Sequence, residues 1–302
     1  MAVTLKGRDF INVWDWTREE LEQVLNTADM LKARQKMGLI DQPLKGKTLG
    51  MYFSKASTRT RLSFEIGIYQ LGGYGLFLSA NDLQLRRGES IADTARVFSR
   101  MLDGIMIRTF AHKDVEELAA YADIPVINAL TDYSHPCQAM ADLMTIREKK
   151  RRLDGLKMVF VGDGNNVALS LMEAGARFGM EVVVACPKGY EPNPEDVRRT
   201  GAAVVNDPYE ACRNADVVYT DVWASMGQEA EAAERKKIFA SYQINEELMA
   251  VTRRDSLFLH CLPAHRGEEV TDQVADGPHS VIFDEAENRL HAQKAIMALI
   301  MG

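Results

Sequence analysis

Residues 48–65 read TLGMYFSKASTRTRLSFE, and the fold turns on how that stretch divides. TLGMYF is a short apolar run of strand length, and the residues from Arg61 toward Gly72-Gly73 read as a helix. Ser57, Thr58, Arg59 and Thr60 fall between them, in a tight strand-to-helix turn. A helix N-terminus presents open N–H groups and the positive end of its dipole, so it already favours an anion. Hydroxyls and a guanidinium that can grip phosphate bidentately add oriented donors. Capping needs only one hydroxyl. The surplus therefore marks Ser57 to Thr60 as an anion cradle, while Arg61 reads as half of a surface i,i+4 pair with Glu65. The Walker pattern G-x-x-x-x-G-K-[ST] is absent, which disfavours nucleotide triphosphate hydrolysis.

Working outward, a helix is expected over 17–36, with Thr17 as N-cap and Glu20 completing a capping box. Strands are expected at GLFLSA, GIMIRT and PVINAL, with helices at SIADTARVFSRM and DVEELAAYA between them. A long helix from His135 ends in REKKRR, cations that suit the negative end of its dipole. A second series starts at Leu156: strand KMVFVG, helix 166–178, strands EVVVACP and AAVVND, helix 208–214 and strand DVVYTDV. A polar loop, a helix near 245–251, strands SLFLHCLP and SVIFDE and a final helix 285–301 complete it. Short apolar strands alternating with amphipathic helices define an α/β fold of two domains, each a mostly parallel sheet with helices on both faces.

The 302 residues suit about two domains, and 46% hydrophobic with 26% charged residues is an ordinary globular balance. A net charge of −7 argues against a nucleic-acid partner but leaves room for a local cation cluster. MAVTLKGRDFINVWDW lacks the basic start and apolar core of a signal peptide, and no apolar run reaches the length of a membrane span. Cys137, Cys186, Cys212 and Cys261 show no C-x-x-C pairing, so a reduced cytoplasmic setting is expected.

Ligands of parallel sheets bind beyond the carboxyl ends of the strands. Arg108, His135, Gln138, Asp163, Asn165, Asn166, Asp221, Ser225, Met226, Cys261 and Leu262 all fall at such exits, as one cleft between two domains would require. GDGNN at 162–166 imitates a dinucleotide fingerprint, but Val167 holds the third glycine position and no ribose-binding acid follows the next strand. A tight turn capped by asparagines is the plainer reading. In HCLPAH only Cys261 and His265 could share a metal, no second pair has metal spacing, and His265 reads as structural. Cys261 as a nucleophile would need an adjacent base.

STRTR, HPCQ, DVWASMG and HCLP, in that order and spacing with GDGNN between them, resemble the signature segments of ornithine carbamoyltransferases. The first two also resemble the wider aspartate/ornithine carbamoyltransferase superfamily. The resemblance spans the chain from the strand at 48 to the last helix. It implies a carbamoyl-phosphate domain at 1–146, joined by the C-terminal helix 286–302, and an ornithine domain at 147–285. It further implies a homotrimer or a multiple of trimers, and chemistry without metal or organic cofactor.

By the same resemblance Ser57, Thr58, Arg59 and Thr60 bind phosphate. Gln84, Arg108, His135, Gln138 and Arg289 complete the carbamoyl-phosphate contacts. Asn166, Asp221, Ser225 and Met226 contact ornithine, and Cys261 and Leu262 sit in the turn that meets both substrates. Arg108, His135 and Cys261 are the expected catalytic set. The implied reaction gives citrulline and phosphate, on the biosynthetic side of arginine metabolism. The alternative acceptors are putrescine and acetylornithine; DVWASMG, which would contact an α-amino-acid end, argues against putrescine. Leu169 and Arg86 depart from the family pattern, which often carries His and Gly there.

Overall fold

The computed structural model describes residues 3–83, 88–225 and 227–302. The chain forms two compact units, Met1–Met144 with Glu287–Gly302, and Thr145–Ala286. The first contains α1 (Arg18–Lys36), β1 (Thr48–Phe53), α2 (Thr58–Gln70), β2 (Tyr74–Ser79), α3 (Ile91–Met101), β3 (Gly104–Arg108), α4 (His112–Tyr121), β4 (Val126–Leu130) and the start of α5 (Pro136–Lys150). The second contains β5 (Lys157–Val161), α6 (Asn166–Phe178), β6 (Glu181–Ala185), α7 (Pro194–Thr200), β7 (Ala203–Val205), α8 (Pro208–Cys212), β8 (Val217–Thr220), α9 (Ala232–Phe239), α10 (Glu246–Ala250), β9 (Leu257–His260) and α11 (Asp272–Ala275). The last helix, α12 (Ile282–Met301), begins in the second unit and ends in the first.

In the first unit the strands run parallel in the order β2-β1-β3-β4. All of β3, and β1 from Leu49 on, is buried, as parallel strands covered on both faces should be. Ala95 of α3 and Val115 and Leu118 of α4 pack with Ile105, Ile107 and Val126. The Thr17–Glu20 capping box is present at the start of α1. Polar contacts tie α12 to α1 and α2: Lys32 Nζ donates to Asn288 Oδ1 at 2.7 Å, and Lys294 Nζ donates to Gln35 and Gln70.

The second sheet is parallel in the order β7-β6-β5-β8-β9. Its core includes Val159, Val218, Phe239, Phe258 and Ile282. Each such buried side chain contributes about 1.5–3 kcal/mol. Strand order reverses direction between β1 and β3 in one sheet and between β5 and β8 in the other, and such switch points open a crevice at the strand ends. The first crevice faces Ser54–Thr60 and Arg108. The second faces Gly162–Asn166 and Asp221.

Three helices escape the sequence pattern, among them the short α11, which Thr271 caps. Asn193 caps α7, with Pro194 at its first position, and α9 lies in what reads as a polar loop. SVIFDE is not the expected strand: Ser280 makes one parallel bridge to Phe258, and α12 already begins at Ile282. Ile282 is buried and Phe283 is exposed, while Asp284 and Glu285 suit the positive start of a helix. A three-residue apolar run, Val281 to Phe283, is too short to separate strand from helix entry.

Gly175 lets α6 lie against β6. A Cβ there would stand 2.1 Å from Val182 Cγ2, a branched side chain fixed close to its backbone. Gly175→Ala gains about 1 kcal/mol of helix propensity, but overpacking costs about 1–3 kcal/mol. We expect a net loss, read as a lower urea midpoint at unchanged m.

Candidate active site

The first unit gathers cations around the start of α2. Ser57 Oγ accepts from Thr60 N–H at 3.2 Å, the ordinary cap. The Thr60 hydroxyl then accepts from two guanidiniums, Arg108 Nη1 at 3.4 Å and Arg289 Nη2 at 3.2 Å. Thr60, Arg108 and Arg289 are all buried. Arg289 Nη1 also donates to Gln138 Oε1 at 2.5 Å, and Gln138 Nε2 donates to Asp142 Oδ1 at 2.7 Å. The amide thus carries the influence of a buried carboxylate to Arg289 without neutralising it by direct contact.

His135 closes the group at the entry of α5. Its pKa lies well below the ordinary histidine value, first because it is buried, then because Arg289, Arg108, Arg59 and Lys55 repel a further positive charge. It is therefore a neutral imidazole. Lys55 was not singled out by sequence reading. It is buried, packs over the Phe110 ring at 4.3 Å and forms an ion pair with Asp132. Its position two residues before Ser57 in the same cationic turn was the available signal. Arg61, as expected, pairs with Glu65 at 3.1 Å and also covers the Phe77 ring.

In the second unit Asp221 is the hub. Its Oδ1 accepts from Val222 N–H at 2.8 Å and from the Cys261 thiol at 3.1 Å. Its Oδ2 accepts from Asn165 Nδ2 at 3.1 Å. Asn165 also caps α6, its Oδ1 accepting from Val167 and Ala168. Asp221, His260 and Cys261 bring one donor atom each within 4.8 Å of one another. His265, read as structural in HCLPAH, has an exposed side chain near Glu268. Leu262 follows Cys261 with φ 60°, and the Leu262–Pro263 bond is cis.

The G-x-G of the 162–166 loop has a packing cause. Gly164 N–H donates to Tyr190 O at 2.8 Å, and a Cβ on Gly164 would lie 2.3 Å from Pro192 N. Backbone, not pyrophosphate, demands that glycine. Asp163 in this loop pairs with Arg235 of α9 at 2.7 Å, and Arg235 also donates to Trp223 O at 3.1 Å. Burial outweighs the arginine, so the Asp163 pKa is raised. Arg235 thereby ties GDGNN to DVWASMG, a link invisible while α9 reads as loop.

Ser57, Thr58, Arg59, Thr60, Arg108, His135, Gln138 and Arg289 all fall in the first unit, and Asn166, Asp221, Ser225, Cys261 and Leu262 in the second. Gln84, Arg86 and Met226 lie outside the described residues. Leu169 is buried in α6.

Two parallel sheets, a cationic helix start in one and an Asp-centred loop cluster in the other, define a group-transfer fold of the carbamoyltransferase class. Residues 8–148 match the family model for the carbamoyl-P binding domain of aspartate/ornithine carbamoyltransferases, and 154–300 match that for its Asp/Orn binding domain. The chain belongs to the aspartate/ornithine carbamoyltransferase family. It is 63% identical to the ornithine carbamoyltransferase of Thermococcus kodakarensis, over 100% of this chain and 99% of the relative. It is 65% identical to that of Symbiobacterium thermophilum, over 99% of each. The solved ornithine carbamoyltransferase of Pyrococcus furiosus superposes with a TM-score of 0.96 at 58% identity, covering 100% of this chain and 99% of that one.

Two outcomes follow from burial. Cys137, Cys186 and Cys212 are fully buried, and burial pushes each thiol up to about 12. A disulfide reagent should label only the half-buried Cys261 in the native protein, and all four cysteines after unfolding. Burial also holds His112 and His135 below 6.5 and His291 down to about 4. As pH falls through about 6.5, the unfolded chain gains protons that the native state refuses. The stability conferred by the neutral histidines is complete above that value and drops below it. A urea midpoint lower at pH 5.5 than at pH 7.5 is expected.

Proposed function

We propose that this chain transfers the carbamoyl group of carbamoyl phosphate to the δ-amine of L-ornithine, giving L-citrulline and phosphate in arginine biosynthesis. The observation that carries the reading is the cation set of the first unit: Arg59, Arg108, Arg289 and Lys55 all act on one buried neutral histidine beside a helix N-terminus. Such a group suits a compact dianion that must be held and then released. The names of the matching family models support a split between carbamoyl-phosphate binding in 1–146 with 286–302 and ornithine binding in 147–285. A 58% identical relative from Pyrococcus furiosus named as the anabolic enzyme supports the biosynthetic direction.

In this reading Ser57, Thr58, Arg59 and Thr60 hold the phosphate, and Gln84, Gln138 and Arg289 complete its surroundings. The neutral δ-amine attacks the carbonyl carbon, a tetrahedral intermediate forms, and the C–O bond to phosphate breaks as the amine passes a proton to the departing phosphate. Arg108, Thr60 and His135 donate to the developing oxyanion. A neutral His135 donates there through its one N–H. Asn166, Asp221, Ser225 and Met226 bind ornithine. Three donors already reach the Asp221 carboxylate, which has about four acceptor sites, so one remains for an α-ammonium. Cys261 and Leu262 position the amine and the carbamoyl group. No step requires a metal or organic cofactor. A homotrimer or multiple of trimers in the cytoplasm completes the proposal. Among the described residues no helix is long and apolar enough to cross a membrane.

Purified protein supplied with carbamoyl phosphate should yield ureido product and phosphate in equal amounts with ornithine, and far less with putrescine or acetylornithine. Product from putrescine but not from ornithine would overturn the substrate assignment. Arg59→Ala should lose about 10²–10³-fold in kcat/KM at unchanged melting temperature. Near-normal turnover would move the phosphate elsewhere.

A further inference from the structure

The turn that carries Cys261 and Leu262 is held from beneath by two buried groups that the chemistry above leaves unused. His260 ends β9, and both its side chain and that of Glu269 are fully buried. Leu262 N–H donates to His260 Nδ1 at 2.9 Å. A backbone amide can only donate, so Nδ1 must present its lone pair. The imidazole then carries its proton on Nε2, which faces Glu269 Oε1 at 3.2 Å. That oxygen also accepts from His265 N–H, which closes the 260–269 segment on itself. From the other side, Glu285 Oε2 accepts from His260 N–H at 2.9 Å, while Tyr219 donates to Glu285 Oε1 at 3.1 Å.

Leucine in the left-handed region brings its Cβ against the backbone, and the chain leaves that conformation unless something holds it. The bond to Nδ1 is that restraint. It exists only for one tautomer, and the acceptor at Glu269 selects that tautomer. We propose that His260 and Glu269 are positioning residues: a carboxylate–imidazole–amide relay that fixes the backbone of Leu262 and so aims Cys261 and Leu262. The kinetic part rests on the function proposed above; the tautomer does not.

Two substitutions separate the halves of the relay. His260→Asn retains an oxygen near the place of Nδ1, and asparagine readily accepts from an amide two residues on. His260→Gln reaches toward Glu269 but offers nothing to Leu262. At matched melting temperature, His260→Gln should lose about 10²-fold in kcat, the scale of a 1 Å misplacement, while His260→Asn stays within about tenfold of the parent. A structural role alone would lower both variants together, in step with their stability. In wild-type protein, long-range ¹H–¹⁵N correlation should show a pyridine-like Nδ1 and a pyrrole-like Nε2 for His260. The opposite tautomer, or His260→Gln as active as His260→Asn, overturns the relay. If the variants fail to fold, the wild-type spectrum still decides it. Wild-type protein inactive on every amine would overturn the proposed function and leave the tautomer result standing on its own.

Discussion

The first unit is organised around buried positive charge gathered on one hydroxyl, that of Thr60. Arg108 and Arg289 both donate to that hydroxyl, and the buried Asp142 carboxylate reaches Arg289 through the Gln138 amide. Burying a cation costs several kcal/mol unless it is well partnered. Such an arrangement persists only where a well-packed scaffold offsets that cost and fixes each donor. Here β3 brings Arg108, α5 brings His135 and Gln138, and α12 brings Arg289, its helix bonded to α1 and α2 through Asn288 and Lys294. Neutral His135 is a consequence, since a proton there would add one more charge to a site already crowded with them.

The second unit solves a different problem, that of holding loops still. Asn165 caps α6 with its oxygen and binds Asp221 with its nitrogen, so one side chain couples the exits of β5 and β8. Arg235 joins the glycine-rich loop to the segment around Trp223. Two buried glutamates, Glu269 and Glu285, brace the turn after β9. Each bond lies at or just beyond a strand exit, where the backbone leaves its own ladder. Side chains supply there the rigidity that the sheet does not.

Much of this was legible from order along the chain. The strand–turn–helix at 48–65, the alternation of short apolar strands with helices, and the crowding of polar residues at strand exits follow from local rules of propensity, capping and dipole. Those rules act over a few residues and leave marks in sequence. The errors were local as well: α9 hidden in a polar run, α7 unmarked between two strands, and SVIFDE taken for a strand when its isoleucine was needed in the core.

Sequence alone sets two parallel α/β sheets, a hydroxyl- and arginine-rich helix start at Ser57 to Thr60, and the segments from which a second polar cluster would be drawn. It could not show that Arg289 meets Thr60 across 229 positions, that Lys55 acts on His135, or that His260 rather than His265 lies beside Cys261 and Asp221. Those are contacts between residues far apart along the chain. Charge repulsion, burial and the choice of a histidine tautomer depend on separation in space, and only the packed tertiary structure sets that separation.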